Sequence, residues 1–364
     1  MMKRIAQALA ACALAGAMLA AQAQIAVTGV SAASLSTAGA DTVRITVRTA
    51  QAGDIAVNLL TGDGDIARHL VLADRPAGEH TLVWDGRDDT GQPVPNEAYT
   101  PQAVLVNAGK TSVDDPRSRS GGEVLTGLAP KLTEEGDIGY ELPAPARVLI
   151  RVGIKGGAML RSLSVWAPHS EGRNLQRWNG FDEDGLIDLR GDRLAMLVTA
   201  FGLPQFSIIT NGQPTSDYRN WRLARGFAEG PENASTDVSA QPPVRDGVRI
   251  ARQHYMARYK DREPRITVQL SDRGGQPLAA ESALAASVVV SVDLHPEDRW
   301  LMQESLYEVA FFVDGEFVSE EENGYVPIGW VWNAAKLPPG RHLLTVNVTG
   351  FSGRVGTRTL QVSR

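Results

Sequence analysis

Between Tyr218 and Arg265 the chain interleaves aromatic rings with cations, a chemistry suited to gripping an anion. Tyr218-Arg219-Asn220-Trp221-Arg222-Leu223-Ala224-Arg225 is followed by Arg245, Arg249, Arg252, His254, Tyr255, Arg258, Tyr259, Lys260, Arg262 and Arg265. Arginine and tyrosine combine contact area with directional hydrogen bonds, so they concentrate at interface hot spots. Tyr218, Arg219, Trp221, Arg222, Arg249, Arg252, Tyr255, Arg258 and Tyr259 are therefore the candidate partner-binding residues. Their partner would be an acidic protein face, a glycan phosphate, or haem propionates on a partner cytochrome. The competing reading is an irregular linker whose charges pair with the protein's own carboxylates, because clustered charge usually marks a solvated face. On the first reading, charge reversal at Arg252 and Arg258 weakens binding without lowering thermal stability.

Carboxylates form the second candidate. Asp85, Asp88 and Asp89 share one tight loop, Asp182, Glu183 and Asp184 another, and Asp63-Gly64-Asp65 a third. Calcium takes six to eight oxygen ligands from such loops, which makes Asp85, Asp88, Asp89, Asp182 and Asp184 candidate ligands. No Glu closes an EF-hand spacing, and Asp is also a turn-former that needs no ion. The six histidines, at 69, 80, 169, 254, 295 and 342, are scattered. There is no Gly-x-Ser-x-Gly elbow, His-Glu-x-x-His or phosphate loop. A hydrolase would have to assemble its site at a domain junction from distant residues. Trp166, Trp221 or Trp300 could stack on sugar rings if they line a groove, which would make the chain a glycan-binding accessory protein. No cofactor is implied.

The elements that must position these residues read as strands. Val43-Arg44-Ile45-Thr46-Val47, Val148-Leu149-Ile150-Arg151-Val152, Ser287–Val292 and Leu343–Val348 are β-branched or alternating runs. Gly, Pro, Asn and Asp punctuate them, the pattern of all-β sandwiches. The chain also repeats itself. Trp84-Asp85-Gly86-Arg87-Asp88-Asp89-Thr90-Gly91, followed by Tyr99, returns as Trp178-Asn179-Gly180-Phe181-Asp182-Glu183-Asp184-Gly185. Each Trp would end a strand with its indole inward, and Gly86 and Gly180 would supply the positive φ of the turn that follows.

This Trp-(Asp/Asn)-Gly-x-Asp-x-x-Gly pattern resembles the immunoglobulin-like domain of the flagellar hook-capping protein, the FlgD-like module found in many secreted bacterial proteins. Residues 41–106 carry it closely. Residues 136–203 carry it too, with Ile138-Gly139-Tyr140-Glu141-Leu142-Pro143 ahead of a strand. The second copy departs at its end, where Arg193-Leu194-Ala195 replaces the tyrosine. The resemblance implies a fold and names no activity. The C-terminal third, with Tyr307–Val313, an Asp314-Gly315 hairpin turn, Trp330-Val331-Trp332 and Pro338-Pro339-Gly340 before a strand, resembles generic bacterial immunoglobulin-like modules.

The expected architecture is all-β, with three immunoglobulin-like β-sandwich domains in tandem. The boundaries are 24–108, 136–203 and 263–364, with an inter-domain loop at 109–135 and an irregular basic and aromatic linker at 204–262. Residues 1–23 read as a secretory signal peptide: Lys3 and Arg4, an Ala-rich apolar stretch, then Ala21-Gln22-Ala23. Leu9-Ala10-Ala11-Cys12 offers a second route, a lipid anchor at Cys12. No other run is long and apolar enough to span a membrane. Losing the leader takes the formal net charge from −6 to −8, which argues against a nucleic-acid partner, since phosphate neutralisation needs the opposite sign. Cys12 is the one cysteine, so an exported chain must hold together on its cores alone. Gln24–Val30, just past the leader, either completes the first sandwich or adds to a neighbour's sheet edge. The functional expectation is an exported, non-enzymatic scaffold, adaptor or adhesion component of the bacterial cell envelope. Its partner is another envelope or secreted protein, or a second copy, in the periplasm or at the cell surface.

Overall fold

Val43, Ile45 and Val47 are fully buried while Arg44 and Arg48 between and after them are exposed. That is the two-residue period of a strand with one face on a core. The computed structural model describes residues 24–213, 217–227, 243–279, 283–302, 307–350 and 352–364. The leader, with Cys12, lies outside the described residues, as does much of the polar stretch before Pro243. None of the described helices is long and apolar enough to cross a membrane.

In chain order the first strands are β1 (Ile25–Val30), β2 (Ser34–Ser36), β3 (Val43–Thr49), β4 (Gly53–Leu60), β5 (Ile66–Arg75), β6 (Gly78–Trp84), β7 (Ala98–Asn107) and β8 (Lys110–Asp114). Next come β9 (Val124–Leu125), β10 (Lys131–Leu132), β11 (Ile138–Leu142), β12 (Ala146–Ile154), β13 (Met159–His169), β14 (Gly172–Gln176) and β15 (Leu194–Gly202). A connecting region holds β16 (Ile208–Asn211), helix α1 (Tyr218–Ala224), a small β17–β18 ladder (Val244–Arg245, Val248–Arg249) and 3-10 turns at Arg252–Tyr255 and Arg258–Lys260. The last strands are β19 (Ile266–Ser271), β20 (Val288–Leu294), β21 (Tyr307–Val313), β22 (Glu316–Gly324), β23 (Ile328–Trp332), β24 (Arg341–Gly350) and β25 (Val355–Ser363).

Six sheets pair off around three hydrophobic cores. Sheets β1-β3-β6 and β2-β16-β7-β4-β5 enclose Ile45, Val57, Trp84 and Tyr99. Sheets β10-β11-β14 and β13-β12-β15-β9 enclose Ile138, Val148, Ile150 and Val152. Sheets β19-β20-β23 and β22-β21-β24-β25 enclose Val290, Phe311, Trp332 and Val346. Ala310 and Phe312 of β21 face away from that core and pack into the second one, so the second and third modules share apolar surface.

One segment follows the first of the two readings the sequence left open, and two differ from the sequence expectation. The N-terminal strand β1 pairs with β3 of its own module, from Ile25 opposite Thr49 to Val30 opposite Ile45, and so is not a free donor. The expected loop at 109–135 contains β8, hydrogen-bonded to β7, and the short strands β9 and β10. The expected linker at 204–262 begins with β16, which runs antiparallel to β7 and parallel to β2. Both β8 and β9 are held by backbone pairing at a sheet margin. Lys110-Thr111-Ser112-Val113-Asp114 buries no side chain fully, so no apolar alternation announces it.

Candidate functional site

The two tryptophan corners have the same internal geometry. The Trp84 indole N–H donates to the Arg87 carbonyl at 2.9 Å, and the Trp178 indole to the Phe181 carbonyl at 2.9 Å. Asp85 and Asn179 each accept the amide two residues on. Gly86 and Gly180 have φ of +74° and +85°, the left-handed region where a Cβ is strained. Asp88 Oδ1 accepts the amides of Thr90 and Gln92, and Asp182 Oδ1 those of Leu186 and Ile187. The copies differ in packing. Trp84 is fully buried edge-on to Tyr99, with ring centroids 5.3 Å apart. Trp178 stands two residues past the end of β14 and is half-buried.

The carboxylates singled out for calcium are engaged within the protein. Asp88 Oδ2 accepts the Trp221 indole N–H at 3.2 Å and the Arg225 guanidinium. Asp184 accepts the Thr359 amide and the Arg358 guanidinium of β25. Asp89 accepts the His69 amide. Among the described residues no group of three or more His, Cys, Asp or Glu is arranged to hold a metal ion. Each corner thus uses an acid to dock a later segment: the first corner holds α1, the second holds the third module.

The basic and aromatic stretch turns inward. Arg222 and Arg258 are buried, as are Trp221 and Tyr259. Arg222 makes a two-pronged bond to Asp65, at 2.6 and 3.2 Å, and its guanidinium lies over the Tyr259 ring. Asp63, on the β4–β5 turn, accepts the amides of Arg258 and Tyr259 and the Tyr218 hydroxyl. It holds the start of the second 3-10 turn as a cap would. Arg219 lies over the Trp300 ring of the third module, 4.1 Å from its centroid. Arg258 Nη1 is 3.0 Å from Asp261 Oδ2. Beside this cluster Arg147, on β12, forms a buried pair with Glu97 of the first module and donates to the Trp166 carbonyl at 3.1 Å. Glu263 joins the second and third modules: Oε1 accepts Arg151 and Ser162, and Oε2 the Val355 amide. Of the nine candidate partner-binding residues, Arg249 and Tyr255 are exposed, while Tyr218, Arg219 and Arg252 are half-buried. The set is mainly the ionic filling of a junction between the modules, where Asp63 and Asp65, seen in the sequence only as a carboxylate cluster, meet it, and where Glu97, Arg147 and Glu263, which carried no local signal, lie close by.

Two groups there titrate in opposite senses. Burial pushes the Asp261 carboxyl up to about 7 against the opposing pull of Arg258 and Arg147, with Glu97 and Arg354 also facing it. Burial, then the nearby Arg258 and Arg245 charges, lower His254 to about 4. From about pH 4 to 7 the folded chain keeps a proton on Asp261 that the unfolded chain has lost, so that group makes stability fall as pH rises. From about pH 4 to 6.5 the unfolded chain holds a proton on His254 that the folded chain lacks, so that group makes stability rise. The two slopes oppose each other. Relative to the parent, Asp261→Asn should therefore gain stability with pH between about 4 and 7, and His254→Gln should lose it between about 4 and 6.5, read from urea midpoints. Parallel pH profiles for all three proteins would contradict the assignment.

A hydrolase requires a base beside a nucleophile. The nearest arrangement lines a cavity of about 560 Å³ between the second and third modules, where His169 Nε2 is 3.5 Å from Ser164 Oγ. The Tyr140 hydroxyl is 2.8 Å from His169 Nδ1, and burial raises the Tyr140 pKa. A protonated phenol can donate to Nδ1 or accept from it, so this bond sets the ring's orientation and leaves its tautomer open. Ser164 itself donates to the Val148 carbonyl at 2.9 Å. The serine proton is thus turned to the backbone and away from the ring, which stands 3.5 Å off. The tryptophans offered for sugar stacking all contact the chain's own side chains. Trp221 lies under Arg225 and beside Tyr218, Trp300 between Arg219 and Tyr259, and Trp166 against Phe201.

Comparison with known proteins places the first module. Residues 32–109 match the family model of the FlgD Ig-like domain. The basal-body rod modification protein FlgD of Salmonella typhimurium (strain LT2) is 32% identical over 65 residues, covering 18% of this chain and 28% of that protein. The same protein of Salmonella typhi matches to the same extent. The chain thus aligns with under a third of the length of these curated relatives. Among solved structures, FlgD from P. aeruginosa is 25% identical, covering 24% of this chain and 66% of that one, with a TM-score of 0.21.

Proposed function

We propose that this chain, whose first module matches the FlgD Ig-like domain, is an exported contact protein of the bacterial cell envelope. It acts as a scaffold or adaptor that recognises another polypeptide and carries out no chemistry. The observation that supports this reading best is the direction in which the basic stretch faces. A surface built to seize an anion leaves its cations to the ligand, whereas Arg222 and Arg225 are bonded to the chain's own Asp65 and Asp88, and Arg258 lies against Asp261. Their work is to fix three sandwiches against one another. Loops and sheet margins are then presented at set distances, a use that favours contact over turnover.

The test is recovery of tagged protein from living cells after mild crosslinking. The expected result is a chain in the periplasm or on the cell surface, shortened at its leader and joined to one discrete polypeptide. Retention in the cytoplasm would refute the reading. So would turnover of ester or glycoside substrates that disappears in Ser164→Ala.

A further inference from the structure

The second module lacks a strand that the first module has. Ladder register aligns the two: Ala103 and Leu105 of β7 lie opposite Val57 and Ile55 of β4, as Met196 and Val198 of β15 lie opposite Val152 and Ile150 of β12. In the first module β8 covers the outer side of β7 from Ala103 to Asn107. Ala103 and Leu105 are then 0% and 2% exposed. In the second module the outer side of β15 is paired only at Ala200 and Phe201, by the two residues of β9. Met196 and Val198 face the core yet are only partly buried, and Leu197 between them is 51% exposed. Among the described residues no further strand pairs with Leu194–Thr199. An unpaired margin of this kind is a template for another strand.

We infer that β15 pairs edge to edge, antiparallel, with β15 of a second copy of this chain, each supplying the strand the other lacks. Two features favour the second copy as occupant. Leu194-Ala195-Met196-Leu197-Val198-Thr199 has no charged residue, so two copies meet without like-charge contact. A two-fold axis through Leu197 also sets Met196 opposite the second copy's Val198, and Leu197 opposite its own counterpart, so one interface closes both cores. The outer strand β22 shows the contrast: Glu316, Glu320, Glu321 and Glu322 would repel their own copies there. This pairing deepens the contact-protein reading by naming one partner, and rests on it.

Sedimentation of the full-length protein over a range of concentrations tests it. The expected result is a reversible dimer that Leu197→Lys makes monomeric, with a melting temperature matching that of the parent diluted to monomer, since Leu197 points to solvent in the single chain. In a Cys12→Ala background, oxidised Leu197→Cys should form a crosslinked dimer far faster than Val83→Cys, an equally exposed control on β6. A monomer at every concentration overturns the inference, as does a dimer that survives Leu197→Lys or equal crosslinking of the two cysteine variants. A monomer that still crosslinks to an envelope polypeptide overturns the self-pairing and leaves the adaptor function standing.

Discussion

Arg147→Leu should cost about 3–5 kcal/mol of stability, the penalty for stranding one member of a buried ion pair. Arg147 and Glu97 both lie out of solvent at the contact between the first and second modules. Glu97 also accepts the Ala98 amide at 2.6 Å through the same oxygen. Without the guanidinium, the carboxylate must stay charged in a poor solvent or take up a proton. The Trp166 carbonyl loses a donor as well, at a residue whose φ of +55° is unusual for a bulky side chain. Denaturant titration checks the size of the effect. Glu97→Gln in the same chain should restore a good part of the loss, because an uncharged amide is far cheaper to bury than a lone carboxylate. A loss below about 1 kcal/mol, the scale of exposed pairs, would show that water reaches this contact.

Arg258→Glu should be at least as damaging, at about 4 kcal/mol or more, the range reserved for burying an unpaired charge. The new carboxylate would face Asp261, with Asp63 and Glu97 near, and would lose the bonds Arg258 makes to the Gln253 and Met256 carbonyls. Arg252→Glu, at a half-buried position, should be much milder. The sequence reading grouped the two arginines and expected reversal to leave stability intact; the fold separates them. Melting curves of the two single variants decide the matter, and equal small shifts would mean that Arg258 is not embedded as described.

Local features were legible in the sequence and distant ones were not. Strands such as Val43–Thr49 and Val288–Leu294 bury every second residue, so their pattern shows in a short window. The twin corners were legible because each closes its internal hydrogen bonds between residues at most five positions apart. The junction was opaque for a different reason. Asp63 meets Arg258 across 195 positions and Glu97 meets Arg147 across 50, and a charge carries no mark of its partner. A run of arginines looks the same whether it faces a ligand or its own acids. The strand β8 was missed because backbone pairing leaves little trace in its exposed side chains, and β16 because its buried run, Ile208 to Thr210, is only three residues long.

The stitching of β16 into the first sheet has a consequence for biogenesis. Residues 208–211 bridge β7 and β2, although a whole module separates them from β7 in the chain. A chain synthesised from its N-terminus cannot finish the first sandwich until the second has been made. Topology alone thus delays closure of the leading module, a long-range contact of the kind that slows folding.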